Sequence, residues 1–264
     1  MSRLSARAQW LVNDKRWRIA SSARAKARGD DGQTLLDRRR SRAMPTALGA
    51  VHAGPRMSAL IRARPTLLLL DFDGVLANYT RAARIAALAA HCRCEAAQVR
   101  EVLFGSGLET AYDGGELDTA TYLQQLSAGL GAPVDTAAWI AARVAASRAD
   151  AGVVAQVLAL AERVAIGVLT NNGALMAQAM PQIVPALFPL LRGRVLCSGR
   201  LGGRKPDAAV YRQALAHFDV APRQALFIDD LFVNVRGARA IGMAAETASG
   251  ARALRRALAR HGLG

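Results

Sequence analysis

A run of four leucines that ends in two aspartates constrains the fold of this chain more than any other stretch. Residues 67–76 read Leu-Leu-Leu-Leu-Asp-Phe-Asp-Gly-Val-Leu. A continuous apolar run of strand length, closed by a turn signal, predicts a strand that is buried on both faces of a parallel sheet. Parallel sheets bind ligands at the carboxyl ends of their strands, so Asp71 and Asp73 are expected at a ligand site.

The spacing of these two aspartates suits a site for a cation and a reaction. Asp71 and Asp73 are two positions apart, which places them on one face of a regular strand, and Gly74 permits a tight turn. Two adjacent carboxylates can hold a hard divalent cation while one oxygen stays free to react. Taken alone, the motif is equally well explained as a strand end with an Asp-rich turn.

Three later stretches also place polar residues where a predicted strand ends or a helix begins. They are residues 165–173, which end in Thr-Asn-Asn-Gly, residues 203–207, Gly-Arg-Lys-Pro-Asp, and residues 225–230, which end in Asp-Asp. The order, spacing and placement of the four motifs resemble the signature of the haloacid dehalogenase-like hydrolase superfamily. The resemblance covers roughly residues 66–250, and the combination is far more specific than any single motif.

Elsewhere the pattern of the chain predicts a doubly wound α/β fold with a helical insert. From residue 151 onward, strands alternate with helices, which predicts right-handed crossovers and a parallel sheet. Residues 77–150 show helical patterns without a convincing strand, and Asp118 and Asp135 are the expected N-caps of two helices, the second of which runs to Ser147. This insert resembles the small helical cap of one class of the superfamily. The expected domains are a basic leader, a Rossmann-like core and a cap: residues 1–64, residues 65–76 with 151–264, and residues 77–150.

Most of the positive charge lies in the leader. The formal net charge is +15, and residues 1–64 contain fifteen Lys or Arg against four Asp or Glu, a net of +11. This composition predicts a largely disordered segment that could contact nucleic acid or an anionic membrane surface. The alternatives are an Arg-rich transit peptide and an extended gene model in which Met57 is the natural start. A solvated tail or an extended gene model is the preferred interpretation.

Cysteine usage and hydropathy predict a cytoplasmic protein. The chain has three cysteines, Cys92, Cys94 and Cys197. A small and odd number of cysteines argues against a disulfide framework and fits a reducing cytosol. No apolar run approaches the roughly 18 residues that span a bilayer. The start of the chain lacks a basic segment followed by an apolar stretch, so no secretory signal is expected. The sequence gives no indication of oligomeric state.

The resemblance implies roles for the first motif. Asp71 would be the nucleophile that attacks phosphorus and becomes an aspartyl phosphate. Asp73 would protonate the leaving alcohol and then take a proton from the water that hydrolyses the intermediate. The backbone carbonyl of Asp73, not its side chain, would help to hold the metal.

The same resemblance implies a Mg²⁺ site built from oxygen ligands. Asp229 would bind the ion together with Asp71, since oxygen-only ligands suit Mg²⁺ and leave room for water and phosphate. Asp230 would act through a bound water, and Asn234 would fix the loop.

Three further residues would contact the phosphoryl group. Thr170 would donate its hydroxyl, and Asn171 its backbone N–H, to the phosphoryl oxygens. Lys205 would neutralise the charge that the nucleophile and the phosphate bring together.

The choice among reactions depends on Asp73. Dehalogenases that resemble this fold lack an acid/base carboxylate there, because a halide leaves without a proton. We therefore expect a Mg²⁺-dependent phosphomonoester hydrolase that acts on a small phosphorylated metabolite, and the motifs look closest to those of small-cap sugar-phosphate phosphatases. The alternatives are a phosphomutase of the same superfamily and a non-enzymatic protein that binds polyanions through its leader. Arg81, Arg84 and Tyr112 are candidate substrate contacts, although solvated helix faces explain them equally well.

Overall fold

The computed structural model describes residues 64–264; the predicted leader, up to residue 63, lies outside the described residues. This part of the chain contains seven strands. In chain order they are β1 (Leu67–Leu70), β2 (Ala77–Tyr79), β3 (Ser147–Ala149), β4 (Ala165–Thr170), β5 (Val195–Cys197), β6 (Ala225–Asp229) and β7 (Ala244–Thr247).

Eleven α-helices connect or flank these strands within the described residues. They are α1 (Arg81–Cys92), α2 (Ala96–Arg100), α3 (Leu108–Gly114), α4 (Thr119–Leu130), α5 (Thr136–Ala145), α6 (Ala151–Leu160), α7 (Met176–Ile183), α8 (Ser198–Leu201), α9 (Ala208–His217), α10 (Phe232–Ala240) and α11 (Ala251–Arg260). A π-helical turn (Glu101–Gly105) follows α2, and 3-10 turns (Pro185–Leu187 and Pro222–Gln224) precede β5 and β6. None of the helices in residues 64–264 is both long and apolar enough to cross a membrane.

Five strands form a parallel sheet in the order β5-β4-β1-β6-β7. The central strand β1 pairs in parallel with β4 on one side and β6 on the other, so that Leu70 lies beside Val168 and Ile228. Alternate leucines of β1 enter different clusters of the core, because successive side chains of a strand point to opposite faces. The sheet is therefore covered on both faces, and the predicted doubly wound α/β fold is confirmed.

The five helices α1–α5 lie between two short strands. β2 and β3 pair antiparallel, with Tyr79 opposite Ser147. No strand interrupts these five helices, as predicted, but the two strands at the ends of the region were not predicted. The predicted helix to Ser147 was wrong, because α5 ends at Ala145. Strands of three residues are too short to show a period of two in the sequence.

The predicted caps of α4 and α5 are confirmed. Asp118 accepts a hydrogen bond from the backbone N–H of Thr121 at 2.7 Å, and Asp135 accepts one from that of Ala138 at 2.8 Å. Each carboxylate satisfies a backbone donor that the first turn of a helix leaves without an intrahelical partner.

Candidate active site

The four motifs meet at the carboxyl edge of the sheet. Asp71 follows β1, Thr170 ends β4 and Asp229 ends β6. Lys205 reaches the same edge from the loop before α9 and is buried there. A cavity of about 380 Å³ opens at this edge, and it is lined by Asp71, Asp73, Gly74, Asn78, Tyr79, Thr170, Asn171, Asn172, Arg204, Asp230, Leu231 and Asn234.

Lys205 lies between two carboxylates. Its Nζ donates to Asp229 Oδ2 at 2.6 Å and to the carbonyl of Leu169 at 2.9 Å, and it lies 2.9 Å from Asp71 Oδ1. The side chains of Lys205 and Asp229 are fully buried. One cation between two carboxylates leaves a net negative charge, which favours the addition of a metal ion.

The side chain of Asn171 fixes the loop that carries Lys205. Its Nδ2 donates to the carbonyl of Lys205 at 2.9 Å, and its Oδ1 accepts from the N–H of Lys205 at 2.8 Å. The sequence indicated a role only for the backbone N–H of Asn171. Its amide side chain therefore adds a connection between the second and third motifs.

Three carboxylates form a candidate cation site. Asp71, Asp229 and Asp230 each offer an oxygen, and these oxygens lie within 4.8 Å of one another. Asn234 Nδ2 donates to both oxygens of Asp229, at 3.0 and 3.1 Å, and so orients that carboxylate. A cluster of hard oxygen donors fits Mg²⁺. The geometry brings the carboxylate of Asp230 into this cluster, whereas the side chain of Asp73 lies outside it.

Burial makes the carboxylates of this cluster costly to ionise. Burial raises the pKa of Asp71, and together with the charge of Asp229, and against the lowering effect of Lys205, it brings this pKa to about 7. Burial and the charge of Asp229 also raise the pKa of Asp230. A bound cation would favour the ionised forms, as Lys205 does.

Asp73 is held by two side chains on the other side of the cavity. Its Oδ2 accepts hydrogen bonds from Arg143 Nη2 at 2.5 Å and from Asn172 Nδ2 at 3.0 Å. The same Asn172 nitrogen lies 2.8 Å from Thr170 Oγ1, to which it also donates. Asn172 therefore connects the first motif to the second.

Sequence reasoning assigned no role to Arg143 or Asn172. For Arg143 a signal was present, because Trp139 lies four residues earlier on the same face of α5, and both side chains are buried. A charged residue on an apolar face requires a partner inside the protein. For Asn172 the sequence showed only its place in a motif.

The three candidate substrate contacts lie outside the lining of the cavity. Arg84 is buried and forms an ion pair with Glu109, and Tyr112 is buried and stacks on Tyr122 with 4.0 Å between ring centroids. Arg81 places its guanidinium 4.2 Å from the centroid of the Phe104 ring. The interpretation of Arg84 and Tyr112 as residues of solvated helix faces was therefore wrong, because both side chains are buried.

Helix α3 docks directly on the loop after β4. Asp113 Oδ1 accepts from the N–H of Gly173 at 2.7 Å, and Ser198 Oγ donates to the carbonyl of Asp113 at 2.5 Å. A Cβ atom on Gly173 would lie 2.1 Å from Tyr112 Cε1, so the contact requires glycine. Burial and the charge of Glu109 raise the pKa of Asp113 to about 8.

The sequence model of the haloacid dehalogenase-like hydrolases matches residues 65–242. The chain therefore belongs to this family of hydrolases, and the resemblance drawn from the motifs is confirmed.

Solved structures share the fold at low sequence identity. A family enzyme from Bacteroides thetaiotaomicron, solved with magnesium and inorganic phosphate, is 18% identical with a TM-score of 0.59, over 70% of this chain and 95% of its own. A protein from Porphyromonas gingivalis, described as a predicted hydrolase of the haloacid dehalogenase-like family, is 22% identical with a TM-score of 0.62, over 75% of this chain and 98% of its own. An L-2-haloacid dehalogenase from Xanthobacter autotrophicus is 18% identical with a TM-score of 0.51, over 76% of this chain and 84% of its own.

One curated protein also matches part of the chain. It is a drimenol cyclase from Aspergillus calidoustus, 33% identical over 81 residues. The match covers 27% of this chain and only 15% of the length of the cyclase.

Proposed function

We propose that this hydrolase is a Mg²⁺-dependent phosphatase that acts on a phosphomonoester of a small metabolite, such as a sugar phosphate. The observation that carries the proposal is the position of Asp73. Its carboxylate lines the same cavity as Asp71 and is fixed by Arg143 and Asn172. An alcohol leaving group needs a proton donor and a halide does not, so this second carboxylate favours phosphate ester hydrolysis over dehalogenation.

The donor set of the site supports the cofactor. Asp71 and Asp229 would bind Mg²⁺ directly, Asp230 directly or through a water, and Asp73 through its backbone carbonyl. When bound, the ion supplies positive charge that offsets the charges of the phosphoryl oxygens and the attacking carboxylate. The oxygens of Asp71, Asp229 and Asp230 are already close enough to share one ion.

In the first step, an oxygen of Asp71 attacks phosphorus, and the bond between phosphorus and the ester oxygen breaks. Asp73 gives its proton to the departing oxygen, which leaves as an alcohol. Thr170 and the N–H of Asn171 donate to the phosphoryl oxygens, and Lys205 offsets their charge. The enzyme is left with an aspartyl phosphate on Asp71 and an ionised Asp73.

In the second step, Asp73 takes a proton from a water molecule whose oxygen attacks phosphorus. The bond between phosphorus and the Asp71 oxygen breaks, so that inorganic phosphate leaves. Both carboxyl groups then have the protonation states with which they began.

The remaining expectations complete the proposal. Residues 77–150 act as a cap that selects the substrate, and the core consists of residues 65–76 and 151–264. The protein works in the cytoplasm. Residues 1–64 form a basic leader that takes no part in hydrolysis.

A substrate panel tests the proposed function. Phosphate release is measured with sugar phosphates, nucleotides and an aryl phosphate, and halide release with 2-haloacids, each with Mg²⁺ and with EDTA. Asp71→Asn removes the nucleophile at almost constant shape. Glu162→Gln is the matched control, because it makes the same exchange of carboxylate for amide at an exposed position of the core outside the four motifs.

We expect the wild type and Glu162→Gln to release phosphate only with Mg²⁺, and Asp71→Asn to be inactive. Halide release without phosphate release would overturn the phosphatase proposal in favour of dehalogenation. Phosphate release that survives in Asp71→Asn would overturn the covalent mechanism.

A further inference from the structure

A buried arginine of helix α5 contacts the proposed acid/base residue. Arg143 lies 70 positions after Asp73 in the chain, and its side chain is only 2% exposed. Its Nη2 donates to Asp73 Oδ2 and lies 3.4 Å from Asn172 Oδ1, and its Nη1 donates to Ser147 Oγ at 3.2 Å. Helix α5 thus reaches across to the motif that follows β1.

The guanidinium is fixed from a second direction. It stacks over the ring of Tyr79, with 4.0 Å between Cζ and the ring centroid. Tyr79 and Ser147 are opposite each other in the ribbon of β2 and β3, so the ring and the hydroxyl that fix Arg143 belong to one cross-strand residue pair. Because a planar guanidinium that is stacked and hydrogen-bonded loses most of its rotational freedom, Arg143 presents its Nη2 in one direction.

The contact leaves the two oxygens of Asp73 in different environments. Oδ2 accepts hydrogen bonds from Arg143 and Asn172. Oδ1 is buried and has no hydrogen-bond partner among residues 64–264. Buried polar atoms are rarely left without a partner unless a ligand, a water or a reaction supplies one.

We infer that Arg143 is a positioning residue for the hydrolysis: by holding Asp73 Oδ2, it keeps the carboxyl group that gives and takes the proton in one orientation. The inference rests on the proposed function. Arg143 acts through Asp73 and does not line the cavity, so substrate affinity is not its role. A proton donor fixed in this way is most useful when the leaving group is a poor one.

The test separates protonation of the leaving group from attack on phosphorus, the two parts of the first step. With enzyme in excess over substrate, release of the alcohol or phenol reports only the step in which Asp73 acts as an acid. An activated aryl phosphate leaves as a phenolate without help, whereas an alkyl phosphate needs the proton. Arg143→Met, Arg143→Lys and the control Arg148→Met are compared on both substrates, since Arg148 is an exposed arginine of the same ribbon.

We expect Arg143→Met to slow the alkyl phosphate by about 100-fold or more, the lower range of general acid catalysis, and the aryl phosphate by less than tenfold. The concentration of enzyme that gives half-maximal rate should change by less than threefold. Arg143→Lys keeps a charge near Asp73 and should recover part of the rate, and Arg148→Met should behave as the wild type. In a double-mutant cycle on the alkyl phosphate, Arg143→Met should add little to the loss caused by Asp73→Asn, because Arg143 acts only through the proton donor that Asp73→Asn removes.

Other outcomes overturn the inference. An equal loss on both substrates would assign Arg143 to stability or to phosphate binding, and weaker binding at an unchanged maximal rate would make it a substrate-binding residue. If Arg143→Met does not fold, the same comparison with Arg143→Lys decides, since an unchanged ratio of alkyl to aryl rates in that variant overturns the inference. A wild-type protein that cleaves neither ester overturns the proposed function itself.

Discussion

Replacing Lys205 by methionine should destabilise the protein strongly. The substitution keeps most of the length of the side chain but removes its charge, and Asp71 and Asp229 then face each other without a cation. Both carboxylates are at most 10% exposed. Removing one partner of a buried ion pair typically costs about 3–5 kcal/mol of the free energy of unfolding, because the remaining charge stays buried.

This loss should depend on pH in a direction that the burial of Asp71 determines. Its pKa in the folded protein is raised to about 7 from a usual value of 3.8, so the folded state holds a proton that the unfolded state has lost. The contribution of this carboxyl is therefore fully present below pH 3.8 and is lost as the pH rises to about 7. Because Lys205 lowers this pKa, its removal in Lys205→Met should raise the pKa of Asp71 further. The pH range over which the variant loses stability should therefore extend to higher pH.

Urea unfolding in EDTA, at several values between pH 5 and 8, measures both effects. Arg212→Met is the control, because Arg212 is an exposed cation of α9 whose loss should change the free energy of unfolding by less than about 0.5 kcal/mol. Added Mg²⁺ should stabilise Lys205→Met more than the wild type, since the ion replaces the missing charge. A Lys205→Met protein as stable as Arg212→Met at pH 8 would refute the reasoning.

Three further predictions follow from other contacts of the site. Asp113→Asn keeps the acceptor for Gly173 N–H but cannot ionise. Because the pKa of Asp113 is raised to about 8, the wild type should lose stability relative to this variant as the pH rises from 4 to 8. If the free energies of unfolding of the two proteins from denaturant titrations run parallel over this pH range, the prediction is contradicted. Gly173→Ala places a Cβ 2.1 Å from buried Tyr112 and should lower the free energy of unfolding by about 1–3 kcal/mol. An unchanged midpoint of thermal unfolding would disprove this prediction. Asn234→Ala removes both donations to Asp229 and should weaken Mg²⁺ binding by about 10–100-fold in calorimetric titration, whereas an unchanged Kd would count against the assigned cation site.

The fold and the strand-end residues could be predicted because their signals are local in sequence. Residues 67–71 and 225–230 each combine an apolar run with the carboxylates that follow it. Once the runs are recognised as parallel strands, their carboxyl ends must lie at one edge of the sheet. The convergence of Asp71 with Asp229 therefore required no knowledge of long-range contacts.

The contacts of the helical insert could not be predicted in this way. Arg143 meets Asp73 across 70 positions, and Arg84 meets Glu109 across 25. Each pairing depends on how helices pack, which no short motif encodes. The ribbon of β2 and β3 was missed for the related reason that three residues carry too little periodicity to identify a strand.

One compositional signal for the site was overlooked. Residues 64–264 contain twenty arginines and a single lysine, Lys205. An ammonium group is compact and strongly hydrated, whereas a guanidinium is planar and larger. A lone lysine in a region that otherwise uses arginine indicates a position that requires the smaller cation, in agreement with its place between Asp71 and Asp229.

The central claim is that Asp71 carries a phosphoryl group during turnover. Asp73→Asn with an activated aryl phosphate and Mg²⁺ should form this intermediate, because the phenolate leaves unaided, and should retain it, because no carboxylate remains to activate the water. Acid quenching and peptide mass spectrometry should then find one phosphate on Asp71, and none in an Asp71→Asn/Asp73→Asn control. Phosphate release by Asp73→Asn without a phosphorylated Asp71 peptide would contradict the account.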